Sequence, residues 1–130
     1  MDHSPSHPPL HRVFVVEDDH AVRDALVMLV EAEGWDCSAF SNGERFLEIA
    51  RPSDEDVLIL DLDLPGIDGT DIAASLQARG VHPSIYVISG LRNRAFQAGV
   101  AKIKPVAAFR KPLDTAGLLS AVSSHQSPSV

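Results

Sequence analysis

A chain of 130 residues, 45% hydrophobic and 22% charged, has the size and apolar content of one globular domain, which excludes wholesale disorder and a multi-domain machine within it. Its net charge of −7 opposes non-specific adhesion to nucleic acid or anionic membrane, and its single cysteine, Cys37, rules out an internal disulfide. The longest apolar run, Ala25 to Val30, is far short of the roughly 20 residues that cross a bilayer, so a cytoplasmic protein with no membrane partner is expected.

Residues 1–12 carry scattered histidines and prolines without the apolar segment of a signal peptide, and predict a flexible arm. Val13 to Val16 is a wholly apolar strand, and Val22, Ala25, Leu26, Leu29 and Val30 then recur at helical spacing until Gly34. Cys37 to Phe40 predicts a second strand and Gly43 to Ala50 a short helix with Phe46, Leu47 and Ala50 inward. Val57 to Leu60 is the most apolar strand, as a central strand buried on both faces should be, and it ends at Asp61. A turn-rich loop from Leu64 to Gly69 leads to a helix capped by Thr70 and stopped at Gly80. Ile85 to Ile88 is the fourth strand. Gly99 and Pro105 interrupt the pattern of Arg94 to Ile103, so a regular helix is not expected there. Val106 to Phe109 reads as strand five, Lys111-Pro112 as a turn and Asp114 as the cap of a last helix carrying Leu118, Leu119 and Val122. Residues 124–130 form a polar tail, leaving 13–123 as the domain.

Five strands alternating with helices predict an α/β fold: a doubly wound, five-stranded parallel sheet of flavodoxin-like order 2-1-3-4-5 with helices on both faces. Ligands in such sheets sit beyond the carboxyl ends of strands one and three, where the winding reverses. Strand one ends in Glu17-Asp18-Asp19 and strand three in Asp61-Leu62-Asp63, so carboxylates converge there. Their oxygens suit a hard cation such as Mg²⁺. Strand four ends in Ser89-Gly90 and strand five leads into Lys111, so a hydroxyl and an ammonium face the acids. A carboxylate nucleophile beside a divalent ion, a fixed cation and a hydroxyl can accept a phosphoryl group.

From Val13 to Val122 the chain resembles the receiver domain of bacterial two-component response regulators. The resemblance is carried by Val15-Val16-Glu17-Asp18-Asp19, Leu60-Asp61-Leu62-Asp63-Leu64-Pro65-Gly66-Ile67-Asp68-Gly69, Ile88-Ser89-Gly90 and Lys111-Pro112-Leu113. It implies that Asp61 is the phosphoacceptor, charged by a histidine kinase or phosphotransfer protein. It also implies that Asp18 binds Mg²⁺ directly, Glu17 through water, and Asp63 by its backbone carbonyl. Ser89 would then hydrogen-bond a phosphoryl oxygen, Lys111 would pair with Asp61 and later with the phosphoryl group, and Lys111-Pro112 would be cis. Gly90 leaves room for a donor to approach in line.

Two features depart from the family pattern. The aromatic residue usually found three positions before the lysine is Ala108 here, and Phe109, one position later, is expected to face the core. The Ala-Gly pair usually found shortly before strand five stands early, at Ala98-Gly99. Leu91 to Leu113 holds six cations and no acid, leaving −13 elsewhere, and can be read as a solvated face or as a docking surface for an acidic partner. The expected activity is that of a stand-alone receiver, not an enzyme, that slowly loses its own phosphate. With no effector domain after Lys111, it is expected to signal to an unidentified protein target by protein contact, without touching nucleic acid. The alternatives are a phosphorylation-independent adaptor of the same fold and a haloacid-dehalogenase-type phosphatase, whose nucleophile and acid pair Asp61-Leu62-Asp63 resembles.

Overall fold

The computed structural model describes residues 12–126; the N-terminal arm up to residue 11 and the tail from residue 127 lie outside the described residues. The elements alternate strictly: β1 (Arg12–Val16), α1 (His20–Ala32), β2 (Asp36–Phe40), α2 (Gly43–Ile49), β3 (Val57–Asp61), α3 (Gly69–Ala78), β4 (Ser84–Ser89), α4 (Asn93–Ile103), β5 (Ala107–Arg110) and α5 (Thr115–Gln126). All strand pairings are parallel, in the order β2-β1-β3-β4-β5. This is the flavodoxin-like sheet expected from the strand pattern, with strands one and three as neighbours.

The two-residue period of the strands divides the core in two. Val13 and Val15 of β1 and Val57 and Ile59 of β3 pack with Leu26 and Val30 of α1 and Leu118 and Val122 of α5. Phe14, Val16, Leu58 and Leu60 point the other way, against Phe46 of α2 and Ile72 and Leu76 of α3. Phe46 meets Phe14 and Phe40 edge to face, with ring centroids 5.9 and 5.5 Å apart. Each fully buried aliphatic or aromatic side chain contributes about 1.5–3 kcal/mol, which is why β3, buried along its whole length, anchors the fold. Phe109 packs toward the α1–α5 core, as strand alternation requires. Among the described residues no helix is long and apolar enough to cross a membrane.

Several boundaries differ from the sequence reading. β1 starts at Arg12, because its guanidinium pairs with the buried Asp56 carboxylate at 2.7 Å and donates to the Arg51 carbonyl, tying the first residue down. β5 starts at Ala107 rather than Val106, and α5 continues to Gln126. Residues 93–103 do form one helix through Gly99. A methyl group on Gly99 would come within 2.8 Å of Leu62 Cδ1, so the residue that looks like a breaker is the one that lets α4 lie on the loop after β3. Gly34, with φ of 90°, ends α1 as its glycine signal implies. Asp114 Oδ1 accepts from the Gly117 amide at 3.1 Å, as expected of a cap on α5.

The cap of α3 is Asp68, not Thr70. Asp68 Oδ1 accepts from the Asp71 amide at 3.0 Å while Asp71 Oδ2 accepts from the Asp68 amide at 3.1 Å. This reciprocal pair satisfies two otherwise orphaned donors, and the Thr70 hydroxyl only supports it by donating to Asp68 Oδ1. Asp68→Ala is expected to cost about 1 kcal/mol, read as a lowered midpoint in urea unfolding with an unchanged slope.

Candidate functional site

The carboxyl ends of β1, β3, β4 and β5 meet at one end of the sheet. Glu17 follows β1, and its amide donates to the Phe40 carbonyl, which carries the β1–β2 ladder one residue further. Asp61 is the last residue of β3 and is buried, and Ser89, the last of β4, is buried as well. Lys111 follows β5, and its amide donates to the Ser89 carbonyl at 2.8 Å, so that strand end and the ammonium are registered together. The Lys111–Pro112 bond is cis.

Three carboxylates come together: Glu17, Asp18 and Asp61 each offer an oxygen within 4.8 Å of the others. Lys111 Nζ reaches into this group, 3.1 Å from Asp61 Oδ2 and 2.8 Å from Glu17 Oε1. The contact to Glu17 is electrostatic rather than a well-aligned hydrogen bond, and Oε1 has no aligned donor although it is fully buried. Glu17 Oε2 accepts from the Asp19 amide at 3.0 Å, and Asp61 Oδ1 from the Asp63 amide at 2.9 Å. Burial first, and the neighbouring Asp61 second, push the Glu17 carboxyl from 4.5 up to about 7 against the opposing pull of Lys111. Burial by itself would lower Lys111, but the carboxylates of Glu17 and Asp61 outweigh it and hold the ammonium above its ordinary value.

Among the described residues Lys111 is the cation that ion-pairs with these three close carboxylates, which leaves a net-acidic pocket of hard oxygens. Such a donor set fits Mg²⁺, which takes oxygen ligands and keeps several waters.

The remaining sequence-derived candidates are distributed around this centre. Asp63 is exposed; its side chain stands outside the carboxylate group, and its amide is what touches Asp61. Ser89 Oγ accepts from the Leu91 amide at 2.9 Å, which leaves its own proton to donate elsewhere. Asp19, part of the acidic triplet, caps α1 by accepting from the Ala21 and Val22 amides. A methyl group on Gly90 would find only Lys111 Cδ, at 3.9 Å, so the position itself has room for one. Gly90→Ala is therefore expected to shift the melting temperature by less than about 2 °C, measured by circular dichroism.

Two supports escaped the sequence reading. Arg23 Nη1 donates to the Glu17 carbonyl at 2.8 Å and fixes the peptide between the two acids. Only its position on the first turn of α1 could have signalled this. Gly69 presses on the end of β3: its amide donates to the Leu62 carbonyl at 3.2 Å, and a methyl group on it would come within 2.8 Å of the Asp61 carbonyl oxygen.

The family model described as the response regulator receiver domain matches residues 13–123. The transcriptional regulatory protein FixJ of Azorhizobium caulinodans is 30% identical over 118 residues, which make up 91% of this chain and 54% of FixJ. The chain thus spans about half the length of this curated relative. Among solved structures, response regulator StyR superposes with a TM-score of 0.79 at 28% identity, covering 89% of this chain and 59% of StyR. A CheY-like receiver domain protein from Methanospirillum hungatei superposes at 0.75 with 20% identity, over 91% of this chain and 94% of that one, a likeness of fold.

Proposed function

Because this chain belongs to the response regulator receiver domain family of two-component systems, we propose that it accepts a phosphoryl group on Asp61 in a magnesium-dependent reaction. What carries the reading is the buried Asp61 carboxylate at the end of β3, with Lys111 Nζ 3.1 Å away and the carboxylates of Glu17 and Asp18 beside it. The donor is a phosphohistidine of a histidine kinase or phosphotransfer protein. A carboxylate oxygen of Asp61 attacks phosphorus, the bond to the donor nitrogen breaks with its electron pair returning to the imidazole, and an acyl phosphate remains.

Each residue has a physical task in this reaction. The Asp63 amide and the Lys111 ammonium hold the carboxylate in one orientation, so little order is lost on approach. Lys111 then balances charge on the transferred group, and the Ser89 hydroxyl is free to donate to one of its oxygens. Asp18, Asp61, Glu17 and the Asp63 carbonyl are the groups that would hold Mg²⁺, whose contribution when bound is to neutralise the negative charge of acids and phosphoryl oxygens alike. A small residue at Gly90, next to Ser89, would leave room for a donor to approach in line. The protein is read as a stoichiometric acceptor, acting in the cytoplasm, rather than a turnover phosphatase. Its output is read as altered contacts with a protein target.

Incubation with acetyl phosphate and Mg²⁺ tests this directly by intact mass and peptide mapping. One phosphoryl group per chain, mapped to Asp61 and absent when magnesium is omitted, is the expected result. Continuous release of phosphate from a generic ester without stoichiometric labelling would favour the phosphatase alternative, and no labelling at all the adaptor.

A further inference from the structure

Away from the carboxylates, α3 and α4 are separated by a groove of about 720 Å³ that runs down to the start of β4 and the approach to β5. Its floor is apolar, built from Leu76, Ile85, Ile103 and the exposed Val106. One wall is α3, which presents Thr70, Ala73, Ala74 and Gln77 at the i, i+3, i+4 and i+7 positions of a single helical face. Thr70, Ala73 and Ala74 are short enough for another helix to approach closely over the first turns of α3. The opposite wall is the C-terminal end of α4, which contributes Lys102 and Lys104.

We propose that this groove is a docking surface for an acidic amphipathic helix of a partner protein, and that the state of Asp61 sets the spacing of its two walls. Charge selects the occupant. The chain carries −7 overall, yet two of the six cations of residues 91–113, Lys102 and Lys104, line this groove against one acid, Asp71, so an acidic helix is drawn here rather than to the acidic remainder of the surface. Asp71, at the far end of the α3 wall, directs the partner's acidic residues toward Lys102 and Lys104.

Coupling follows from how the walls are founded. Gly69, the first residue of α3, packs on the Asp61 carbonyl and donates to the Leu62 carbonyl. Gly99, in the middle of α4, packs on the Leu62 side chain so closely that a methyl group there would have to displace Leu62 Cδ1, 2.8 Å away. Both helices therefore pack on Leu62, α3 on the Asp61 carbonyl as well, and a displacement of the Asp61–Leu62 segment moves one against the other. This second half of the inference rests on Asp61 being the acceptor.

The probe is a fluorescein-labelled, acetylated peptide of about fifteen residues, with leucine on one helical face and glutamate on the other, beside a lysine-for-glutamate counterpart. Titrated against the full chain, the acidic peptide is expected to bind with Kd on the order of 10–100 μM, and the basic one not at all. Lys102→Glu/Lys104→Glu is expected to weaken binding at least about tenfold. Ala74→Trp, which fills the groove from an exposed helix position, should weaken it similarly without altering the circular dichroism spectrum. Amide shifts mapping to α1 and α5, no binding of the acidic peptide, or insensitivity to both variants would overturn the docking surface. Concentration-dependent dimerisation abolished by the same variants would do so too, by naming a second copy as the occupant.

Phosphorylated and unphosphorylated samples, verified by mass, should differ in peptide affinity at least about fivefold. Equal affinities with Asp61 fully labelled overturn the coupling and leave the acceptor assignment standing. Failure to label Asp61 overturns the acceptor assignment and the coupling with it, while peptide binding still decides the groove.

Discussion

Asp61→Asn protein is expected to gain no phosphoryl mass from acetyl phosphate and Mg²⁺, with labelling at least about a hundredfold below the unsubstituted chain. An amide has the shape of the carboxylate but neither its charge nor its nucleophilicity. Its oxygen can still accept from the Asp63 amide, so the loop after β3 keeps its form. The substitution gives up the ion pair with Lys111 but also relieves the repulsion from Glu17 and Asp18. These terms oppose, and the change in stability is expected to stay within about 1 kcal/mol. A melting curve close to that of the unsubstituted chain, recorded on the same sample, separates lost chemistry from lost fold. Labelling at the original level would move the acceptor to another residue.

Glu17→Gln is expected to make the metal-free protein more stable at pH 8, the reverse of what most substitutions of buried residues do. In the fold the carboxyl ionises near 7, against 4.5 for an ordinary glutamate, because it is buried beside Asp61. The folded state therefore holds a proton that the unfolded chain releases. Stability from this group is complete below about pH 4.5, declines as pH rises and is lost above about pH 7. Glutamine copies the protonated form at every pH, so the gain appears only on the alkaline side. The shift sets a ceiling of about 3 kcal/mol; sharing of charge with Lys111 and Asp61 reduces the expectation to about 2 kcal/mol, or about 5–10 °C in melting temperature.

The same substitution should weaken Mg²⁺ binding by about 10–100-fold, since it removes a negative charge from the group of three. Magnesium is expected to raise the melting temperature of the unsubstituted chain more at pH 8 than at pH 6, where it must first displace the Glu17 proton. Isothermal titration and thermal melts at the two pH values check both statements. A fall in stability of the metal-free variant at pH 8 would mean that Glu17 is held mainly by Lys111 and not strained by its burial.

Stability and function pull against each other at this point of the fold. Three carboxylates within 4.8 Å form an arrangement that a stability-optimised protein would neutralise. Lys111 compensates part of the charge. Under the proposed function, the uncompensated remainder is what would attract a divalent cation.

Much of this molecule is legible in the chain by itself. The wholly apolar Val57 to Leu60, the helical recurrence from Val22 to Val30 and the glycine stops at Gly34 and Gly80 specify alternating strands and helices, because burial on two faces and burial on one face leave different periodicities. Acids at the ends of strands one and three, a serine at the end of four and a lysine after five then fall at one end of the sheet once the strand order is known. Tertiary structure decided what depends on a distant neighbour. Gly99 lies inside a helix because Leu62 needs the space, and Arg12 joins β1 because Asp56 awaits it across the sheet. Asp68 outcompeted Thr70 as a cap because Asp71 returns its hydrogen bond. The ionisation of Glu17 and the α3–α4 groove likewise have no local signal: one arises first from burial under elements distant in the chain and then from Asp61, 44 positions away, the other from two helices that both pack on Leu62.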